Sequence, residues 1–531
     1  MELSKRTKYV MLGLLAVLNL ILRLPVTPHE IGIDSFHIHT RANFISTTGC
    51  ADWILNPLSF FGLYPLSYPS GEIFFLSGLS QCTHVEMEWT IWIAATFFGV
   101  LGMFTAYLMA KEIRNDFLFA FSVAFIYSTS RMFIGFTTWT VSTRGLFMAI
   151  LPLLIWSLLR SYNQKEDRLK YLLFAVSLLI VLGTIHRMVF FTPLILIAFG
   201  VAVLFYTANK KFKVPKITPK TTVIAFFALF IQLLLLPFTP LGFYHDIEAF
   251  EAGHYYGYFF HGSTPYHILL NIGAEYAMAV GILIILVPIG LILLLLKKQK
   301  AFSDVFLLAL ILCFAPFLAD PGYMRFFVLF ILSLLISFGL LEILKLLGTV
   351  KKVKSAAPLI IISILAFSAL LPYFVIVRPV PSLPFHTQHM NELTYDAAFF
   401  IKEYGVELPR ISSSIRFSPQ INAIAGPPYQ HSHSYEIDRI SSWSTKPIPL
   451  SNFVSDFLKY KSLYKVKKPR YEYFWYLDCD DMNTKWILGN KTHLVIEDNY
   501  LPSHLPFYVS TRATKPKIYD NGLESIWCLS Y

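Results

Sequence analysis

The stretch Gly32-Ile33-Asp34-Ser35-Phe36-His37-Ile38-His39-Thr40-Arg41 sets an acid, two imidazoles and a guanidinium directly after the first hydrophobic segment. A carboxylate such as Asp34 can take the proton of an attacking hydroxyl or hold a divalent cation. The spacing Asp-x-x-His-x-His can ligate a metal, and His37 and His39 can equally well hydrogen-bond their own loop. Charged groups beside a bilayer are costly unless they are paired or used, so their gathering at one membrane edge marks a candidate site. The plain alternative is a solvated loop that merely follows a membrane helix.

A second set of residues is cationic. Arg131, Arg144, Arg187 and Arg325 each fall at the edge of an apolar run, and planar guanidinium forks suit bidentate contact with phosphate. For Arg325 the alternative is a side chain that snorkels to the interface. A further loop, His245 to His254, offers Glu248 and Glu251, with His261 and His267 close by in sequence. With Asp34 and His37 or His39, these could complete the oxygen-rich shell of Mg or Mn, or they form a hydrated loop face.

What must position these residues is a membrane scaffold. Of 531 residues 55% are hydrophobic and 15% charged, with a mean hydropathy of +0.56, a balance outside the range of soluble chains. The net charge of +11 falls in short clusters between apolar runs, as in loops that face the cytoplasm, and not in a nucleic-acid-binding face. No glycine fingerprint for a nucleotide is present. Cys50 and Cys82 share the first loop, and Cys479 and Cys528 the C-terminal region; each pair can form a disulfide on an oxidising side or remain as thiols.

The first run, to about Pro25, follows Lys5, Arg6 and Lys8 and reads as an uncleaved span with its N-terminus inside. Further runs lie near Trp89–Ala110, Phe117–Gly135, Gly145–Arg160, Tyr171–Ile185, Met188–Thr207, Thr222–Phe238, Ala274–Leu296, Phe302–Leu318, Phe326–Leu346 and Pro358–Val377. Threading them alternately gives about eleven transmembrane helices. It also puts the basic clusters at Lys111, Lys165–Lys170, Lys210–Lys216, Lys297–Lys300 and Lys351–Lys354 on the N-terminal, cytoplasmic side. The fold class is therefore an α-helical polytopic membrane protein, multi-pass in the cell membrane.

Residues 1–377 form the transmembrane domain. Its first external loop, residues 26–88, is broken by Asn56-Pro57, Tyr64-Pro65 and Tyr68-Pro69-Ser70-Gly71, and Glu72–Ser80 reads as a helix along the lipid interface. Residues 378–531 turn mixed and polar, enough for one external α/β domain. Ala397–Tyr404 reads as an amphipathic helix, and Arg410–Ile415, His493–Glu497 and Ser525–Leu529 as strands. Asn490-Lys491-Thr492 is a glycosylation sequon on that outer side.

Gly32 to His37, then Arg41, then Tyr68-Pro69-Ser70-Gly71 resemble GT-C membrane glycosyltransferases, most of all the archaeal branch related to the oligosaccharyltransferase catalytic subunit. The resemblance implies that Asp34 is the catalytic or metal-binding acid and that the helix after the Pro-Gly turn covers a donor site. It also implies a GT-C-like transmembrane domain followed by an external domain with a segment like Lys517-Ile518-Tyr519-Asp520-Asn521-Gly522. Arg325, in Gly-Tyr-Met-Arg-Phe, is similar to the phosphate-binding arginine of such enzymes.

Two features depart from the pattern. The second external loop, Ser128–Arg144, contains no Asp or Glu, and the Trp-Trp-Asp signature is replaced by Phe474-Trp475-Tyr476-Leu477-Asp478. The expected function is transfer of a sugar from a polyprenyl-phosphate-linked donor to a protein or glycan acceptor on the external face, with inversion. The alternatives are a transporter or flippase of a lipid-linked substrate, which should show polar breaks in corresponding spans, and an inactive scaffold of the same fold.

Overall fold

The structure, a computed structural model, describes residues 4–49, 70–212, 219–236, 265–318, 321–349, 363, 365–366, 389–404, 410–412, 418–426, 430–431, 494–498, 517–520 and 524–528. The loop with Glu248 and Glu251, His261, the whole side chain of His267, nearly all of the run at Pro358–Val377, the Phe474–Asp478 segment and the sequon lie outside the described residues.

In chain order the helices are α1 (Lys5–Ile21), α2 (Ile33–Thr48), α3 (Gly71–Thr83), α4 (Met87–Ile113), α5 (Phe117–Thr129), α6 (Arg131–Ile134), α7 (Thr143–Asn163), α8 (Arg168–Ile185), α9 (Thr192–Phe212) and α10 (Pro219–Leu235). They continue with α11 (Pro265–Val280), α12 (Leu286–Leu296), α13 (Phe302–Phe314), α14 (Pro321–Phe327), α15 (Leu329–Thr349), α16 (Glu392–Tyr404) and α17 (Ser418–Ala425). Short 3-10 turns occupy Arg187–Phe191, Gly281–Ile285 and Ala315–Phe317. Strands β1 (Arg410–Ser412), β2 (Gln430–His431), β3 (Leu494–Asp498), β4 (Lys517–Asp520) and β5 (Glu524–Cys528) form one sheet.

Among the described residues, six helices are long and apolar enough to cross a membrane: Met87–Ile113, Thr143–Asn163, Arg168–Ile185, Met188–Ala208, Gly273–Leu296 and Leu329–Leu346. Phe117–Thr129, Pro219–Leu234 and Phe302–Phe317 are shorter apolar helices. At about 1.5 Å per residue these lengths match a hydrocarbon layer of about 30 Å, and the chain is a multi-pass membrane protein. The expected runs between Trp89 and Leu346 overlap these helices, except that the run from Ala274 is interrupted at Gly281, where φ is +65°; the first expected run is the helix Lys5–Ile21, which is not among the six, and the run at Pro358–Val377 lies almost wholly outside the described residues. Between α12 and α15 the backbones approach so closely that a Cβ on Gly290 would collide with the Leu335 carbonyl oxygen, the small-residue contact that membrane helices favour.

The chain divides into two compact units. The first comprises Met1–Leu24, Thr96–Thr137 and Arg144–Arg378; the second comprises Pro25–Ala95, Thr138–Thr143 and Pro379–Tyr531. In the first, Arg23 is fully buried. Its Nε donates to Thr137 Oγ1 at 2.9 Å, Nη1 to Asn19 Oδ1 at 2.8 Å and Nη2 to the Ser128 carbonyl at 3.0 Å. A buried guanidinium survives only with its N–H groups occupied, so this network fixes the end of α1 against α5 and the turn after α6.

In the second unit the strand order is β2-β1-β3-β5-β4, with β1 parallel to β2 and β3, and β5 antiparallel to β3 and β4. α16 and α17 pack on one another, and their core gathers Met390, Ala398, Ile401, Ile421, Ala423, Ile424 and Ile526. Phe36, from α2, is buried in that same core.

The first loop holds more helix than its turn-rich composition suggests: α3 extends the expected Glu72–Ser80 helix, and α2 is an additional one. Residues 35, 38, 39, 42 and 45 are buried, which is a helical face, but two of them are Ser35 and His39, and that disguised the apolar period. Cys82, at the end of α3, is an exposed free thiol.

Candidate active site

In the second unit, α2 starts abruptly because Gly32 has φ +103° and a Cβ there would lie 2.9 Å from Thr140 Oγ1. Only glycine meets both demands. Asp34 then occupies the first helical turn, where the helix dipole favours an anion. At about 100° per residue, Asp34, His37 and Arg41 share one face of α2, while Ser35 and His39 turn into the interior.

Against this helix start lies the 138–143 segment. The Ile31 N–H donates to the Trp139 carbonyl at 3.0 Å, the Val141 N–H to Ser35 Oγ at 3.0 Å, and Ser142 Oγ to Asp34 Oδ2 at 3.5 Å. The loop without an acid thus presents a hydroxyl to Asp34. Trp139 holds a φ of +40°, a costly conformation for a large residue. It is retained by its indole N–H on the Glu88 carbonyl at 3.2 Å and by stacking on Trp89 at 5.2 Å.

Behind this face is a polar layer. Glu30 is 0% exposed and accepts from Ser35 Oγ at 2.8 Å and from His39 Nδ1 at 2.5 Å. Its own N–H donates to Glu88 Oε1 at 3.0 Å. His29 sits between Glu88 (3.1 Å) and Glu392 (3.4 Å) and stacks on Tyr395 with centroids 4.1 Å apart. Burial pulls the His29 pKa down, but the two carboxylates pull it up and prevail, so it lies above the ordinary imidazole value. Glu72, in the first turn of α3, is also 0% exposed, and among the described residues neither carboxyl oxygen has a hydrogen-bond partner. Burial pushes it up to about 8, so it is a neutral acid at pH 7.

The first unit collects the arginines. α14 carries Arg325 and packs against α6, which opens with Arg131, against the turn opened by Arg187, and against α11. Arg325 is ion-paired with Glu275 of α11, and its Nε is buried with no partner among the described residues. The Arg144 guanidinium lies 5.3 Å from the Phe136 ring, 5.5 Å from Tyr323 and 5.7 Å from Phe326. His186 Nδ1 accepts from the Met188 N–H at 2.9 Å, starting the turn, and the His186 ring is 5.6 Å from Tyr323. Elements separated by up to about two hundred residues in sequence thus bring the four expected arginines to one region of this unit. The side chain of Arg187 is outside the described residues.

Of the sequence candidates, Asp34 and His37 share a face and His39 is buried on Glu30. Glu248 and Glu251 are outside the described residues. Glu30, Ser142, Glu88 and Glu275 were not singled out; a lone acid inside the apolar run from Ala274 was the signal for Glu275. A cation on Asp34 would need more oxygen ligands. Among the described residues no three His, Cys, Asp or Glu side chains come together to hold a metal ion.

Solved structures match over nearly the whole chain. The Archaeoglobus fulgidus oligosaccharyltransferase in its apo form aligns with a TM-score of 0.56 at 13% identity, over 93% of this chain and 70% of that one. The same organism's AglB, in complex with an inhibitory peptide and a dolichol-phosphate, gives 0.54 at 12% identity, over 93% and 69%. ArnT from Cupriavidus metallidurans bound to undecaprenyl phosphate gives 0.51 at 12% identity, over 99% and 98%. This chain has the GT-C fold. No family model matches it, and no curated protein does. The expectation of a GT-C-like membrane scaffold is met; the likeness is one of fold. A further Archaeoglobus fulgidus oligosaccharyltransferase structure, a complex with zinc and sulfate, aligns at 0.51.

Proposed function

We propose that this protein is an inverting membrane glycosyltransferase that moves a sugar from a polyprenyl-phosphate carrier to a protein or glycan acceptor on the external face. The observation that carries the reading is Asp34, held half-buried at a helix start by Gly32 and hydrogen-bonded by Ser142. Support comes from the fold shared with AglB and ArnT, whose structures hold dolichol-phosphate and undecaprenyl phosphate.

In this mechanism Asp34 takes the proton of the acceptor hydroxyl as that oxygen attacks the anomeric carbon. The polyprenyl phosphate leaves with the bonding pair. Its charge is assigned to the guanidinium groups of Arg144 and Arg325, with Arg131 and Arg187 on adjoining elements. A divalent cation, if bound, would supply further charge stabilisation of the leaving phosphate.

The test uses purified protein and a labelled polyprenyl-phosphate sugar. Asp34→Asn, which keeps size and removes charge, should lower transfer by about 10²–10⁴. Asp34 as base predicts that transfer survives a chelator, whereas loss restored by Mg or Mn would make it a ligand. Full transfer by Asp34→Asn would sink the reading.

A further inference from the structure

Ser142, whose Oγ donates to Asp34 Oδ2 at 3.5 Å, sits in a segment that reaches α2 through the residue before it, Val141, whose N–H donates to Ser35 Oγ at 3.0 Å. Val141 and Ser35 are both buried, so water does not substitute for that bond. Ser35 can accept there because its own O–H is directed elsewhere, onto Glu30 Oε2 at 2.8 Å. Glu30 Oε2 accepts that hydrogen, so it fixes the direction of the Ser35 hydroxyl and leaves the hydroxyl's lone pair for Val141. Glu30 is in turn oriented by His39 Nδ1 on its other oxygen and by its own N–H on Glu88.

We infer that Glu30 and Ser35 are positioning residues that hold the 138–143 segment in register with Asp34, so that Ser142 keeps its hydroxyl on the acid. This rests on the reading of Asp34 as the reacting acid. A bracket that served stability alone could be apolar, since burying carboxylates is expensive and well-packed apolar replacements often stabilise. What a chain of directional hydrogen bonds adds is register. A slip of one residue in this segment would replace Ser142 by Val141 or Thr143.

Hydrogen exchange and kinetics test the inference together. In Ser35→Ala and Glu30→Leu, exchange of the peptide spanning 138–145 should quicken by about 10-fold, from loss of one hydrogen bond. With labelled polyprenyl-phosphate sugar, kcat should fall by about 10- to 100-fold while the donor KM stays within about 2-fold, the signature of a misplaced group rather than lost binding.

Glu30→Gln should recover most of both losses, because its amide oxygen still accepts from Ser35 and its NH₂ can donate to His39 in the other tautomer. Ser142→Ala, which leaves the bracket in place, should lower kcat with exchange at Val141 unchanged and stands in if Ser35→Ala does not fold. Wild-type exchange in Ser35→Ala, or wild-type kcat in Ser142→Ala, would overturn the inference. Quickened exchange in a chain whose wild type transfers no sugar would remove the glycosyltransferase reading and leave the bracket.

Discussion

Replacing Phe36 by alanine should loosen the second unit far from where the substitution lies in sequence. Phe36 is 0% exposed and packs in one core with Met390, Ala398, Ile401, Ile421, Ala423, Ile424 and Ile526, some 350 to 490 residues further on. Truncation removes six ring carbons from this core, and a buried phenylalanine-to-alanine change costs about 3–5 kcal/mol. At about 1.4 kcal/mol per tenfold, the opened population of α16 and α17 rises by about 100- to 4,000-fold.

Native-state proteolysis reads this directly, because cleavage follows the open population when reclosing is fast. Cleavage within the 389–425 region should quicken by that factor. The control is Phe399→Ala on α16, whose side chain is 44% exposed and should cost less than about 1 kcal/mol. Equal protease resistance in Phe36→Ala and wild type would refute the shared core. The same reasoning predicts that residues 378–531 expressed without α2 are looser than in the whole chain, since Met390 and Ile421 lose the ring that covers them.

Three further outcomes are expected. Because the His29 pKa is raised by Glu88 and Glu392, its contribution to stability is complete below about pH 6.5 and is lost as pH rises through the folded value; His29→Gln should flatten the fall in protease resistance as pH rises above about 6.5, and an unchanged slope would exclude this imidazole. Glu72, pushed up to about 8 by burial, must stay protonated when folded while the unfolded chain ionises near pH 4.5, so it weakens the fold progressively from about pH 4.5 to 8; Glu72→Gln should raise the melting temperature at pH 7.5 and change it little at pH 4.5, and an equal effect at both would show that ionisation is not the cause. Arg325→Lys replaces a planar fork by a point charge beside Glu275 and should raise the donor KM by about 10-fold with a smaller change in kcat; the reverse split would remove Arg325 from donor binding.

The sequence by itself determined the membrane-embedded character of the chain, and most helix positions, because burial in lipid demands long unbroken apolar runs that composition displays directly. It also marked Asp34, since a charge beside a bilayer needs a reason, and it placed the tail helix and three of the five strands among the described residues near where they are found. Only the tertiary structure decided that the first loop's acid stands on a helix rather than in a coil, because the face that buries α2 includes Ser35 and His39. Only it decided that Phe36 belongs to the core of residues beyond 389, and that Arg131, Arg144, Arg187 and Arg325 lie on neighbouring elements. Ser142 and Glu30 were invisible as well, for a serine and a glutamate acquire meaning from a partner within hydrogen-bond distance, and both partners, Asp34 and Ser35, stand in the first turn of α2. Hydrophobic periodicity is a property of one segment and can be read along the chain; hydrogen-bond partnership is a property of two groups brought together, and only packing brings them there.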